Sequence, residues 1–220
     1  MIRAVDDFPS FFELAGEDPL IIDCGANIGV SVLEWKARWP MAKVICFEPD
    51  PDAFRLLELN VIRNDIPGVR CIDAAVANFD GRAPLFGDQG VGADARGNSL
   101  RAEWGNREGS QSTEVRCERL SKYLQQDVAF LKLDIEGAEE AVLSEVAEHL
   151  HRVQAMYVEV HETDLLEDSN SLDRIIDTLQ RAGMTVEQEA RYQPHALPQT
   201  WAQWGRQHDA RQTQLICYQN

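Results

Sequence analysis

The run Leu20-Ile21-Ile22-Asp23-Cys24-Gly25-Ala26-Asn27-Ile28-Gly29 constrains the fold of this chain more than any other stretch. An apolar strand passes into a glycine turn, and from Val30 the apolar residues take up helical spacing. Gly25 and Gly29 allow a ligand or an adjoining helix to approach the backbone closely. The next apolar run, Val44-Ile45-Cys46-Phe47, closes in Glu48-Pro49-Asp50. A strand, turn and helix followed by a strand that ends in an acid is how an α/β protein holds a nucleoside, with the carboxylate on the ribose hydroxyls.

The same rhythm runs on. Further strands are predicted at 69–72, 129–133 and 155–160, and helices at 30–39, 52–64, 139–150 and 172–182, with Gly183 as a C-cap. A closing antiparallel pair is expected at 185–189 and 214–218, and a lead-in helix at 6–15. This alternation predicts one α/β domain over 1–220 with a doubly wound, mostly parallel sheet, a C-terminal antiparallel strand pair and a cofactor-binding core at 20–163. Two segments break the rhythm, 80–113 and 193–212, and both are expected on the substrate side. The first reads as a loop with a short hairpin around 83–86, and the second as a lid carrying Trp201 and Trp204.

Bulk properties exclude several classes. The 220 residues suffice for one α/β domain with a sizeable core but not for two ordinary ones. Thirty-seven acidic against 21 basic residues give a net charge of −16, which leaves little for the basic face that a nucleic acid needs. No apolar run approaches the roughly 20 residues of a membrane span. The N-terminus lacks the apolar core of a signal peptide. The five cysteines are scattered without metal-ligand spacing, so free thiols and a cytoplasmic location are expected.

In an open parallel sheet the ligand sits beyond the carboxyl ends of the strands. The candidate cofactor residues are therefore Asp23, Gly25, Ala26, Asn27, Gly29, Glu48, Pro49, Asp73 and Ala74. Asp23 is expected to organise the turn and reach a ligand ammonium through water, and Glu48 to hold the ribose. Asp73 is either an adenine contact or a turn residue. Two glycines with an acid inside the motif point to S-adenosylmethionine rather than a dinucleotide. Asp134, Glu159 and His161 are the candidate catalytic residues, with His161 as the base. The same three could hold Mg or Mn, although no ligand spacing demands a metal. Glu136 and Glu139 read as structural, and Lys132 is assigned no chemistry.

Four blocks carry a resemblance: Ile22-Asp23-Cys24-Gly25-Ala26-Asn27-Ile28-Gly29, Cys46-Phe47-Glu48-Pro49-Asp50-Pro51, Leu131-Lys132-Leu133-Asp134-Ile135-Glu136-Gly137-Ala138-Glu139 and Val158-Glu159-Val160-His161. From Leu20 to His161 the chain resembles the FkbM family of methyltransferases. The resemblance implies the Rossmann-like class I methyltransferase fold, S-adenosylmethionine as cofactor, and O-methylation of a small polar metabolite or sugar. The expected partner is a small-molecule acceptor, with no nucleic acid and no membrane, and a homodimer stays open. One rival is an NAD-dependent oxidoreductase, which lacks its Gly-x-Gly-x-x-Gly spacing here. The other is a non-catalytic nucleoside-binding protein, which would bind the cofactor without turnover.

Overall fold

The computed structural model describes residues 14, 16–87, 97–105, 107, 110–192 and 199–219. The expected lead-in helix at 6–15 therefore lies almost wholly outside the described residues. Strands β1 (Leu20–Cys24), β2 (Lys43–Phe47) and β3 (Val69–Ile72) alternate with helices α1 (Val30–Arg38) and α2 (Pro51–Arg63). The chain then forms β4 (Ala75–Ala77), β5 (Gly81–Phe86) and β6 (Ser112–Arg119). It continues through β7 (Val128–Leu133), α3 (Glu139–Val146), β8 (Val153–Glu162), α4 (Leu172–Arg181), β9 (Met184–Tyr192), α5 (Gln199–Gln207) and β10 (Arg211–Gln219).

The main sheet has seven strands in the order β3-β2-β1-β7-β8-β10-β9. Strands β3 to β8 in that order run parallel, and β10 pairs antiparallel with both β8 and β9. The fold is thus the predicted α/β class with its C-terminal antiparallel pair. Both faces are covered, as parallel sheets require. Trp35, Val32 and Leu57 from α1 and α2 pack on one face. Val142, Leu143, Ile175 and Leu179 from α3 and α4 pack on the other.

Local chemistry sets the boundaries. Asp50 caps α2 by accepting from the N–H groups of Asp52 and Ala53 at 3.1 and 2.9 Å, and Pro51 occupies the first turn, where its missing N–H costs nothing. Helix α3 is shorter than the predicted 139–150, because the chain tightens into a 3-10 turn over Ala147–Arg152. No described helix is long and apolar enough to cross a membrane.

The hairpin expected around 83–86 takes a different form. Strand β5 pairs antiparallel with β6, and β6 pairs parallel with β4, making a separate three-stranded sheet. The partner strand was hidden because only Val115 and Cys117 of its eight residues are buried, so its apolar signal is two residues long. The expected lid contains α5, whose Trp204 is buried against Trp104, Leu166 and Ala210. It forms a packed wall rather than a free flap. The side chain of Trp201 and residues 193–198 lie outside the described part. All five cysteines are free, and Cys71 alone of them is not fully buried.

Candidate active site

A cleft of about 290 Å³ opens at the carboxyl ends of β1, β2, β7 and β8. Its walls come from Gly25, Asn27, Glu48 and Pro49, from Ala74 to Val76, from Asn98 and Leu100, and from Asp134, Glu136 and Glu159. Four carboxylates therefore face one cavity. The small sheet contributes Ala75, Val76 and Leu85, so the second sheet forms part of the cleft wall.

The turn is internally closed. Gly25 and Ala26 both donate to the Phe47 carbonyl, at 3.1 and 2.9 Å, and Gly29 donates to the Ala26 carbonyl at 2.8 Å. The Asn27 N–H donates to Glu48 Oε2 at 2.8 Å, and the Ile28 N–H to Asn27 Oδ1 at 2.7 Å. All five N–H groups from 25 to 29 thus have partners within the protein. The other Glu48 oxygen accepts from the Asp50 N–H at 2.8 Å. Each oxygen keeps further lone-pair capacity toward the cleft. Burial pushes the Glu48 carboxyl up to about 7, against the two N–H groups that favour its ionised form.

Asp23 does not reach the cleft. Its side chain is fully buried, accepts from Ser31 Oγ at 2.5 Å and stands 3.5 Å from Lys132 Nζ. It ties the end of β1 to Ser31 of α1 and to Lys132 of β7. Ala26, Gly29 and Asp73 likewise stand outside the cleft lining, whereas Gly25, Asn27, Glu48, Pro49 and Ala74 are in it.

Lys132, assigned no chemistry above, ties this region together. Its ammonium donates to the Gly25 carbonyl at 2.9 Å and lies 3.0 Å from Asp134. Burial disfavours its charge, but Asp134 and Asp23 outweigh that and hold the ammonium above its ordinary range. Burial also raises the Asp134 carboxyl, with Lys132 pulling the other way.

Beyond Asp134 the chain turns sharply. Glu136 takes a φ of 59° and Gly137 a φ of 100°, two left-handed residues in succession. The turn aims Glu136 back at His161, whose Nε2 is 3.4 Å from Glu136 Oε2 and 3.6 Å from Glu159 Oε1. His161 Nδ1 faces Glu139 Oε1 at 2.9 Å. Glu139 also accepts from the Gly137 N–H and from Asn170 Nδ2 at 2.6 Å, and Asn170 donates to the His161 carbonyl at 2.8 Å. Trp104, from the irregular segment, donates its Nε1–H to Glu136 Oε2 at 2.6 Å and stands edge-on to the His161 ring at 4.9 Å.

His161, the expected base, stands outside the cleft lining, with its Nε2 toward Glu136 and Glu159. The ring is fully buried, which opposes its charge, yet Glu136 and Glu139 raise it well above its ordinary range. Glu159 accepts from Tyr157 Oη at 2.8 Å, and despite burial His161 and Tyr157 hold its carboxyl down at about 2. Of the two predicted catalytic carboxylates, Asp134, raised by burial, has the surroundings that favour accepting a proton. Asp134, Glu136 and His161, rather than the predicted Asp134, Glu159 and His161, present ligand atoms within 4.8 Å of one another.

Sequence reasoning missed Lys132, Glu139, Asn170 and Trp104. A lysine inside the apolar strand Leu131-Lys132-Leu133 was a usable sign, since a strand buried on both faces carries a charge only if it is paired. Asn170 and Trp104 gave none, because both lie in irregular segments.

Comparison with known proteins agrees with this geometry. Residues 23–186 match the profile of the methyltransferase FkbM domain. The chain is 30% identical over 175 residues to methyltransferase sdnD of Sordaria araneosa, covering 66% of this chain and 67% of that protein. It is 28% identical over 178 residues to 2-O-methyltransferase NoeI of Sinorhizobium fredii, covering 74% and 71%. The crystal structure of methyltransferase FkbM from Methylobacillus flagellatus superposes with a TM-score of 0.60 at 16% identity. That match covers 96% of this chain but only 46% of the longer one. The profile match spans well over half of the sequence, and the chain belongs to the FkbM family of methyltransferases.

Proposed function

We propose that this chain transfers a methyl group from S-adenosylmethionine to a hydroxyl of a small polar acceptor, such as a sugar. One observation carries the choice of cofactor. The cleft presents four carboxylates, and the N–H groups of the glycine turn are all engaged. A dinucleotide needs free N–H groups for its pyrophosphate and would meet like charge here. A cofactor carrying a sulfonium and an ammonium meets opposite charge and acceptors instead. Glu48 would take the ribose hydroxyls, and Asp134 and the Gly25 region would face the amino-acid end.

When bound, S-adenosylmethionine supplies an electrophilic methyl group. Methylation of a hydroxyl releases one proton, which Asp134, in the cleft, would receive. Lys132, at 3.0 Å, fixes that carboxylate and stabilises its charge before the proton arrives. Leu100 and the small sheet would exclude water around the acceptor. The printed activity of NoeI, a 2-O-methyltransferase, supports oxygen as the acceptor atom. The acidic surface argues against a nucleic acid as substrate.

The test is calorimetry followed by an acceptor screen. S-adenosylmethionine should bind at least about a hundredfold more tightly than NADH, a gap of roughly 2.7 kcal/mol. Comparable affinities would remove the basis for the cofactor assignment. Binding without turnover on any sugar or hydroxylated metabolite would favour the non-catalytic alternative.

A further inference from the structure

His161 poses a problem that its neighbours do not solve. Its Nε2 is fully buried and makes no hydrogen bond. The groups facing that nitrogen are Glu136 Oε2 at 3.4 Å and Glu159 Oε1 at 3.6 Å, both acceptors. With Nδ1–H donated to Glu139, Nε2 directs a lone pair into an acidic pocket. Such a nitrogen requires a cation, either a proton or a metal ion.

We propose that Asp134, Glu136 and His161 Nε2 bind one divalent first-row transition cation, best represented by Mn²⁺, on the wall of the cleft. The three ligand atoms lie within 4.8 Å of one another, as ligands of a single ion must. Two carboxylates and an imidazole suit Mn²⁺ or Fe²⁺ better than Mg²⁺, which prefers an all-oxygen shell. Three protein ligands leave coordination positions for water or an acceptor hydroxyl.

The surroundings match those of a metal site as well. Metal-bound histidines commonly donate their other ring N–H to a carboxylate, which fixes the ring and its tautomer. Glu139 occupies that place, held in turn by Asn170. Trp104 orients Glu136 through a 2.6 Å hydrogen bond. Lys132 balances Asp134 and Asp23 but stands apart from Glu136 and His161, so it does not replace the ion.

Cation binding does not depend on the proposed methyl transfer, although its use at the acceptor oxygen rests on that reading. There the ion would favour the ionised hydroxyl, with Asp134 as a ligand instead of the base, and the released proton would pass to bulk water through the open cleft.

The experiment uses the full chain, treated with a chelator and dialysed. Mn²⁺ is titrated while the signal of the free ion is followed by electron paramagnetic resonance. Calorimetry with S-adenosylmethionine runs in parallel on the same material. One Mn²⁺ per chain is expected. Its affinity should fall at least about tenfold in Glu136→Gln and Asp134→Asn, and by a similar factor in Glu139→Gln, which only positions His161. Asp127→Asn, an exposed control, should bind like the parent. Circular dichroism identifies variants that have lost the fold, and the near-isosteric Glu136→Gln is the one least exposed to that outcome. No saturable binding at about 1 mM Mn²⁺, in a protein that binds S-adenosylmethionine, overturns the cation site alone. Unchanged binding in folded Glu136→Gln and Asp134→Asn also overturns it. Mn²⁺ binding without S-adenosylmethionine binding keeps the site and removes the methyltransferase reading.

Discussion

Both oxygens of Glu48 accept a backbone N–H at 2.8 Å, so its carboxylate holds the turn together as well as facing the cleft. Its carboxyl titrates at about 7 in the fold against 4.5 in the unfolded chain. Between these values the folded state holds the extra proton. The contribution of Glu48 to stability should therefore be fully present below about pH 4.5 and be lost toward pH 7, by at most about 3 kcal/mol. Melting curves of Glu48→Gln, which has no proton to lose, should differ from the parent by this component between about pH 4.5 and 7. Cofactor affinity should run the opposite way and rise with pH as the carboxylate ionises. Glu48→Ala should cost on the order of 2–4 kcal/mol of S-adenosylmethionine binding, read by calorimetry. Gly25 meets a different constraint. Its φ is 89°, and an added Cβ would run into the Asp134 carbonyl, which is backbone and cannot rotate away. Gly25→Ala should destabilise by about 3 kcal/mol, visible as a lower denaturant midpoint. Asp134→Asn should keep the cofactor and lose about two to four orders of magnitude in turnover on an identified acceptor.

At the level of elements, the junction between β7 and α3 carries most of the chemistry. Six residues, from Asp134 to Glu139, supply two cleft carboxylates, two left-handed residues and the side chain that orients His161. Glu139→Ala would leave the buried His161 ring without its closest partner and strand the Asn170 amide, at about 3–5 kcal/mol. Chemical denaturation would measure that loss. The sequence marked this junction as important through strand ends and a helix start. Strand β1, the glycine turn and β2 were legible for the same reason: each ends an apolar run in a residue whose chemistry is local. The second sheet was not legible, since β6 shows a period-2 pattern only at Val115 and Cys117. The pairing of Glu139 with His161 joins positions 22 residues apart, and no local pattern records that contact. Trp104 was hidden for the same cause. Its burial follows from Leu166, Trp204 and Ala210, all far along the chain.

For the whole molecule, a net charge of −16 surrounds a cleft lined by four carboxylates. A cationic cofactor should be drawn in from beyond contact range, and salt should screen that attraction. S-adenosylmethionine affinity should weaken as ionic strength rises from about 0.01 to 0.5 M, while any residual NADH binding should strengthen. Stopped-flow measurement would place the S-adenosylmethionine effect mainly in the association rate. The closed turn at 25–29 has a thermodynamic counterpart. A loop whose amides all have partners is already in its working shape, so a ligand need not freeze it, and association loses little chain entropy there. Those five amides should resist deuterium exchange in the free protein nearly as well as in the complex, and any gain in protection on binding should fall elsewhere in the chain.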